Sequence, residues 1–194
     1  KEMAEQRKYT RTTKSAVKSK PVDEYGHLQP QAIDFEEAVL GALMIEKDAY
    51  SIVSEILRPE SFYDHKHQLL YKAITTLAMR QQPIDILTVA EQLRSTGELE
   101  EAGGPFYITQ LSGKVASSAH IEYHARIIAQ KFLARELITF TSNIQTKAFD
   151  ATQDVDDLMQ EAEGKLFEIS QKNMKKDYTQ INPVIQEAYE MLQK

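Results

Sequence analysis

The 194-residue chain has no cysteine and no tryptophan, and none of its apolar runs is long. A bilayer crossing needs about 20 consecutive apolar residues, so a spanning helix is excluded. Without cysteine there is no disulfide and no thiolate metal site. The opening stretch, KEMAEQRKYTRTTKSAVKSK, is polar and lacks the apolar centre of a secretory signal. A nucleotide-binding phosphate loop is missing too. That motif needs G-x-x-x-x-G-K-[ST], with lysine and hydroxyl reaching phosphate and metal. The pairs Gly113-Lys114 and Gly164-Lys165 are followed by Val115 and Leu166, and neither has a glycine five residues earlier. These absences fit a soluble, cytoplasmic protein with no nucleotide or metal cofactor of its own.

Charge is present but uneven. The whole chain carries a formal −6, whereas residues 1–20 hold seven Lys/Arg against Glu2 and Glu5, a net of +5, leaving −11 for the rest. Affinity for nucleic acid comes mainly from cations that displace phosphate counterions, so the acidic remainder is poorly suited to it. The first 27 residues are expected to form a flexible basic tail with no periodic pattern.

From residue 28 the pattern is helical. Asp34 is placed to cap FEEAVLGALM, DAYSIVSEIL ends before Pro59, and Asp64 is placed to cap HQLLYKAITTLAM with His67 half-buried. Thr88 and Glu91 have the T-x-x-E spacing of a capping box, and Gly97 stands at a helix C-terminus. In LEEAGGPFYITQL, Gly103 suits a turn of positive φ and Pro105 the first turn of the next helix.

Residues 117–149 can run as one helix of about thirty residues, long by globular standards. Its apolar stripe changes sides. Ile121, Ala125, Ile128 and Phe132 share one face; Leu133, Leu137, Phe140, Ile144 and Ala148 or Phe149 follow on roughly the opposite one. The first half is therefore expected to pack on the preceding globule and the second on VDDLMQEAEGKLFEIS, capped by Asp154, as an antiparallel hairpin across DATQD. In that helix Val155, Leu158, Met159, Ala162, Leu166 and Ile169 share a stripe. Ile127, Ile138 and Phe167 lie off the stripes, and three such residues on one hairpin favour self-association.

The expected fold is thus all-α: a tail over 1–27, a helical globule over 28–116, a helical hairpin over 117–171, and a linker with a further helix over 172–194. In the last segment Val184, Ile185, Ala188 and Leu192 form a docking stripe, opened by Asn182 and Pro183.

Reaction chemistry finds little footing. His120 and His124 have a metal-binding spacing, but Ile121 stands where an HExxH site needs glutamate, and a packed histidine is the better reading. Glu100, Glu101, Asp156 and Asp157 lie on helix faces as solvated charge. No catalytic residue is assigned.

Four ordered blocks carry a resemblance. PQAIDFEEAVLGALM resembles P-x-x-x-E-A-E-x-x-V-L-G-A-L, with Asp34 and Phe35 replacing Glu and Ala. ILRPESFYDHKHQLLYKAI resembles I-L-x-P-x-x-F-Y-x-x-x-H-x-x-I-Y-x-A-I. PIDILTVAEQLRSTGELEEAGGPFYITQL resembles P-V-D-x-V-T-V-x-x-x-L-x-x-x-G-x-L-E-x-x-G-G-x-x-Y-L-x-x-L. SSAHIEYHARII resembles S-A-A-N-V-E-Y-Y-A-R-I-V, with His120 and His124 replacing Asn and Tyr. From about Leu28 onward the chain therefore resembles the N-terminal part of the DnaB-type replicative DNA helicases of bacteria.

The resemblance implies a collar of paired hairpins, three dimers above a hexameric motor ring, whose outer surface receives the C-terminal domain of primase. A helicase loader is a further partner it admits. By position Tyr107, Ile138 and Ile144 fall where family members meet primase or a neighbouring subunit, and Asp34 joins them. The motor would follow the linker helix in which this chain ends. The fragment is then expected neither to hydrolyse ATP nor to unwind DNA, while its parent does both with ATP and magnesium and contacts DNA mainly through the motor. The alternatives are a stand-alone adaptor of the replication or loading machinery without a motor, and a nucleic-acid-binding module acting through residues 1–20.

Overall fold

The computed structural model describes residues 28–114 and 120–174. The basic tail, the linker and the docking stripe of Val184, Ile185, Ala188 and Leu192 lie outside them. Among the described residues seven α-helices follow in order: α1 (Ile33–Leu43), α2 (Ala49–Ser54), α3 (His65–Met79), α4 (Ile86–Thr96), α5 (Gly104–Gly113), α6 (Ile121–Ala148) and α7 (Val155–Met174), with a 3-10 turn, Pro59–Ser61, before α3. All of the regular elements named are helical, so the all-α expectation holds.

Helix starts show where local chemistry decides. Asp64 caps α3 as expected, accepting the Lys66 N–H at 2.9 Å. Asp154 does the same for α7, accepting from Asp156 and Asp157 at 2.8 and 3.2 Å. Two caps differ from expectation. α1 begins at Ile33, because the Ala32 carbonyl already accepts from Phe35 and Glu36 at 3.0 Å each. Asp34 is therefore an exposed first-turn residue, favourable to the helix dipole but not the cap. In α4 the cap is Asp85, which accepts from Leu87 and Thr88 while the Thr88 hydroxyl accepts the Asp85 N–H, each at 2.9 Å. Thr88 thus closes a capping box three residues upstream of the one expected with Glu91, and Ile84 and Ile86 are drawn against the core.

α1 packs on α3, α5 and the first half of α6, and α4 closes over α3 and α5. Leu40, Leu43, Phe62, Leu70, Tyr71, Ile74, Ile108, Leu111 and Ile128 are fully buried between them. Each such side chain contributes about 1.5–3 kcal/mol. The Gly103-Gly104 pair turns the chain into α5 with φ of 102° and 76°. Gly103 is doubly constrained, because a Cβ there would stand 2.6–2.9 Å from the Tyr107 side chain. Gly103→Ala is expected to lose about 1–3 kcal/mol through the left-handed backbone alone, with more from the clash. Urea unfolding of the two proteins measures it, and equal midpoints would show that Tyr107 moves aside freely.

α6 runs unbroken from globule to hairpin. Its first half buries Ile121, Ala125 and Ile128 against the core, and its second half pairs antiparallel with α7, Lys147 meeting Glu161 at 2.7 Å near the tip. The side-switching stripe is observed, but coverage is thinner than the pattern suggests. Of the α7 stripe only Leu158 and Ile169 are buried, whereas Val155, Met159 and Leu166 are exposed. At 100° per residue, Leu158, Ala162 and Ile169 lie about 20–60° to one side of Val155, and Leu166 and Met159 about 20–40° to the other. One facing helix covers only the first set. On α6, Leu133, Phe140 and Ile144 are half-buried, and Leu137 and Phe149 are exposed.

Candidate interaction site

α1 carries two adjacent carboxylates, Glu36 and Glu37, on the face that also bears Val39 and Leu40. A charge on that face must find partners or be strongly destabilising. Glu36 is 1% exposed and finds three. Its carboxylate accepts the Tyr63 N–H at 2.7 Å, the Asp64 N–H at 3.4 Å and His67 Nδ1 at 2.7 Å. His67, on the first turn of α3, is wholly buried rather than half-buried. Its other nitrogen, Nε2, meets the Tyr107 hydroxyl at 2.6 Å, and that hydroxyl reaches Glu37 at 3.4 Å. Glu37 closes the chain by an ion pair with Lys114 at the end of α5.

Five side chains from α1, α3 and α5 thus form one polar string between the deep core and the surface. Tyr107 sits at its outer end, its ring nearly parallel to His67 with centroids 6.1 Å apart and Lys66 Nζ 5.2 Å from its own centroid. Burial, and then the neighbouring charge of Glu37, push the Tyr107 phenol well above the ordinary tyrosine range. It stays a neutral hydroxyl across physiological pH, as a bridge between imidazole and carboxylate requires. The string is satisfied internally. Among the described residues no group of three or more His, Asp or Glu could hold a metal ion. His124 instead packs edge-on against Phe35, centroids 5.2 Å apart.

A second node joins globule to hairpin. Arg135, midway along α6, donates to the carbonyls of Pro30 and Ser61 at 2.8 Å each. Its guanidinium lies 5.5 Å from the Tyr63 ring centroid and 5.6 Å from that of Phe132. Partial burial lowers its pKa and the nearby Glu36 charge opposes that. The arginine and the buried glutamate therefore hold the same segment, Ser61–Asp64.

The candidate contact residues do not form one patch. Asp34 is exposed on α1, and Tyr107 is half-buried with its polar end turned inward. Ile127 and Ile144 are half-buried, while Ile138 is 45% and Phe167 64% exposed. Ile127 and Ile138 lie eleven residues apart, so they share the face of α6 that points away from its main hairpin stripe; Phe149, the C-cap residue, is not on that stripe, which ends at Ala148, and is 83% exposed. Glu36, Glu37, Lys114 and Arg135 were not among the residues singled out from sequence. The available signal was a carboxylate at Glu36, three and four residues before the apolar Val39 and Leu40.

Fold and site together define a class: an all-α module of helical globule and protruding hairpin, with its polar cluster turned inward and apolar side chains left on the hairpin. The chain belongs to the family described as the DnaB-like helicase N terminal domain, which matches residues 28–130. It is 43% identical over 168 residues to the replicative DNA helicase DnaB of Rhodothermus marinus, covering 87% of this chain and 18% of that one. To the replicative DNA helicase DnaC of Bacillus subtilis it is 36% identical over 166 residues, 86% of this chain and 37% of that one. The chain therefore spans well under half of these relatives. The crystal structure of the N-terminal domain of DnaB helicase from Mycobacterium tuberculosis superposes with a TM-score of 0.68 at 34% identity, over 72% of this chain and 98% of that one. A DnaB-like replicative helicase, whose structure was described together with its interactions with primase, superposes with a TM-score of 0.60 at 28% identity, over 71% of this chain and 31% of that one.

Proposed function

We propose that this chain serves as the collar of a bacterial, cytoplasmic replicative DNA helicase: an assembly and recruitment domain rather than a reaction centre. Its hairpins pair two chains, dimers build a hexamer, and the outer surface receives the C-terminal domain of primase. Unwinding with ATP and magnesium, and most contact with DNA, belong to a motor in the parent protein; a helicase loader is a further partner of the assembly. Within the chain we assign residues 28–116 to the globule, 117–171 to the hairpin, 172–194 to the linker and 1–27 to a tail. Asp34, Tyr107, Ile127, Ile138, Ile144 and Phe167 are the proposed contacts, and Val184, Ile185, Ala188 and Leu192 the linker's docking stripe.

The observation that carries this reading is the apolar surface left on a hairpin whose two helices do not cover each other. Exposed apolar side chains grouped on one protruding element mark an interaction site, and the family membership says which kind of protein uses it. Titration calorimetry with the C-terminal domain of primase tests the recruitment half. Saturable binding is expected, weakened about tenfold or more by Ile144→Asp with helical content unchanged, a loss of at least about 1.4 kcal/mol. No heat of binding at high concentration of the wild-type chain would overturn it.

A further inference from the structure

Tyr107 is restrained at both ends of its side chain. At the root, a Cβ on Gly103 would stand 2.6–2.9 Å from the tyrosine's Cβ, Cγ and Cδ1, so the ring lies directly on that glycine. At the tip, the hydroxyl meets His67 Nε2 at 2.6 Å, and the two rings are within 4° of parallel. His67 has no room to follow a moving partner. It is wholly buried, and its Nδ1 stands 2.7 Å from the Glu36 carboxylate, which accepts the Tyr63 N–H at 2.7 Å.

The hydroxyl has a single hydrogen, and the chain uses it. Tyr107 donates it to Nε2 or, where Nε2 itself donates, to the Glu37 carboxylate at 3.4 Å. In both arrangements none is left for another molecule. The ring is what remains to be touched. Tyr107 is half-buried, the adjacent Phe106 is 82% exposed, and Lys66 Nζ lies 5.2 Å from the Tyr107 ring centroid. An aromatic side chain already held in one pose loses little freedom on docking, and such anchors dominate the energy of many interfaces.

We propose that His67 is a positioning residue for docking at α5: it holds the Tyr107 hydroxyl so that the ring is presented beside Phe106, and the docked partner contacts that ring and not the hydroxyl. His67 touches no partner and acts only through Tyr107. The proposal rests on the function proposed above, in which Tyr107 is a contact for the C-terminal domain of primase.

The first test needs no partner. In the full chain alone, the hydrogen between the Tyr107 oxygen and His67 Nε2 should exchange slowly enough to give a resolved NMR signal, and His67→Asn should abolish it. That substitution keeps an amide near the place of Nδ1 for Glu36 and puts no atom at the place of Nε2. Absence of the signal in the wild-type chain would overturn the positioning role. The second test is a double-mutant cycle read by titration calorimetry with the C-terminal domain of primase, the helical content of each variant being checked at the same temperature. Tyr107→Phe removes the hydroxyl and keeps the ring. It is expected to weaken binding about fivefold in the wild-type background, the scale of re-ordering one side chain, and less than about twofold beside His67→Asn, where the hydroxyl has already lost its partner. Equal losses in both backgrounds would overturn the proposal, because the hydroxyl would then contact primase itself. No loss in the wild-type background would overturn it too, since the ring would hold its pose unaided. A wild-type chain that gives the NMR signal but no heat of binding defeats the recruitment reading, and the contact with the ring falls with it.

Discussion

Glu36→Ala is expected to destabilise the fold by about 3–5 kcal/mol, because each buried donor left without its acceptor costs about 1–3 kcal/mol and Glu36 accepts from more than one. The substitution leaves His67 Nδ1 and the Tyr63 N–H without their 2.7 Å acceptor in a site with no water access of its own. It also frees Tyr107 and Glu37, whose positions depend on His67 staying where it is. A domain of this size has about 5–15 kcal/mol in total, so the loss is a large fraction of the whole. At about 2–4 °C per kcal/mol, thermal unfolding should fall by roughly 6–20 °C. Glu36→Gln keeps the shape and an acceptor, and should cost clearly less. A midpoint within about 2 °C of wild type for Glu36→Ala would show that the string is incidental to stability.

The second large effect belongs to the hairpin. Wild-type chain is expected to sediment as a dimer or larger, and Ile138→Asp with Phe167→Asp as a monomer of unchanged helical content. Both positions are exposed in the single chain, so the substitutions should leave its fold alone. In a two-fold dimer each change is counted twice. An unpaired polar group in an apolar contact costs about 1–3 kcal/mol, and the pair of substitutions introduces four. The dissociation constant should therefore rise by at least about a thousandfold, since each 1.4 kcal/mol is tenfold. Analytical ultracentrifugation over a wide concentration range measures it. Unchanged association in the double variant would move the interface off these faces.

Much of this architecture is legible in the linear pattern, because helices announce themselves through period and caps. The change of stripe near Phe132 separates a globule-facing from a hairpin-facing half of α6, and Ile121, Ala125 and Ile128 are indeed the buried residues of the first half. Caps were legible in part: Asp64 and Asp154 stand where spacing places them, whereas Asp85 and Thr88 make the box that spacing alone assigned to Thr88 and Glu91. A side chain can satisfy several possible first turns, and the core decides which one forms. The polar string was not legible at all as a unit. Glu36, His67 and Tyr107 lie 31 and 40 residues apart, and each sits in a different one of the blocks that resemble the helicase family. Nothing local says that these letters meet. Nor does periodicity tell how much of a stripe its partner covers: Val155, Met159 and Leu166 belong to the α7 pattern yet face outward.

Arg135 also determines how force passes through the molecule. The 28 residues of α6 form a rod of about 42 Å, embedded at one end and carrying the hairpin tip at the other. The guanidinium, clamped on the Pro30 and Ser61 carbonyls, is its fulcrum. From there to Ala148 is about 20 Å of helix, so a tilt of 10° at the clamp sweeps the tip through roughly 3–4 Å. The segment Ser61–Asp64 under the fulcrum is also held by the Glu36 string, whose outer end is Tyr107. A swing of the hairpin about the clamp and a displacement of Tyr107 would therefore both bear on that one segment.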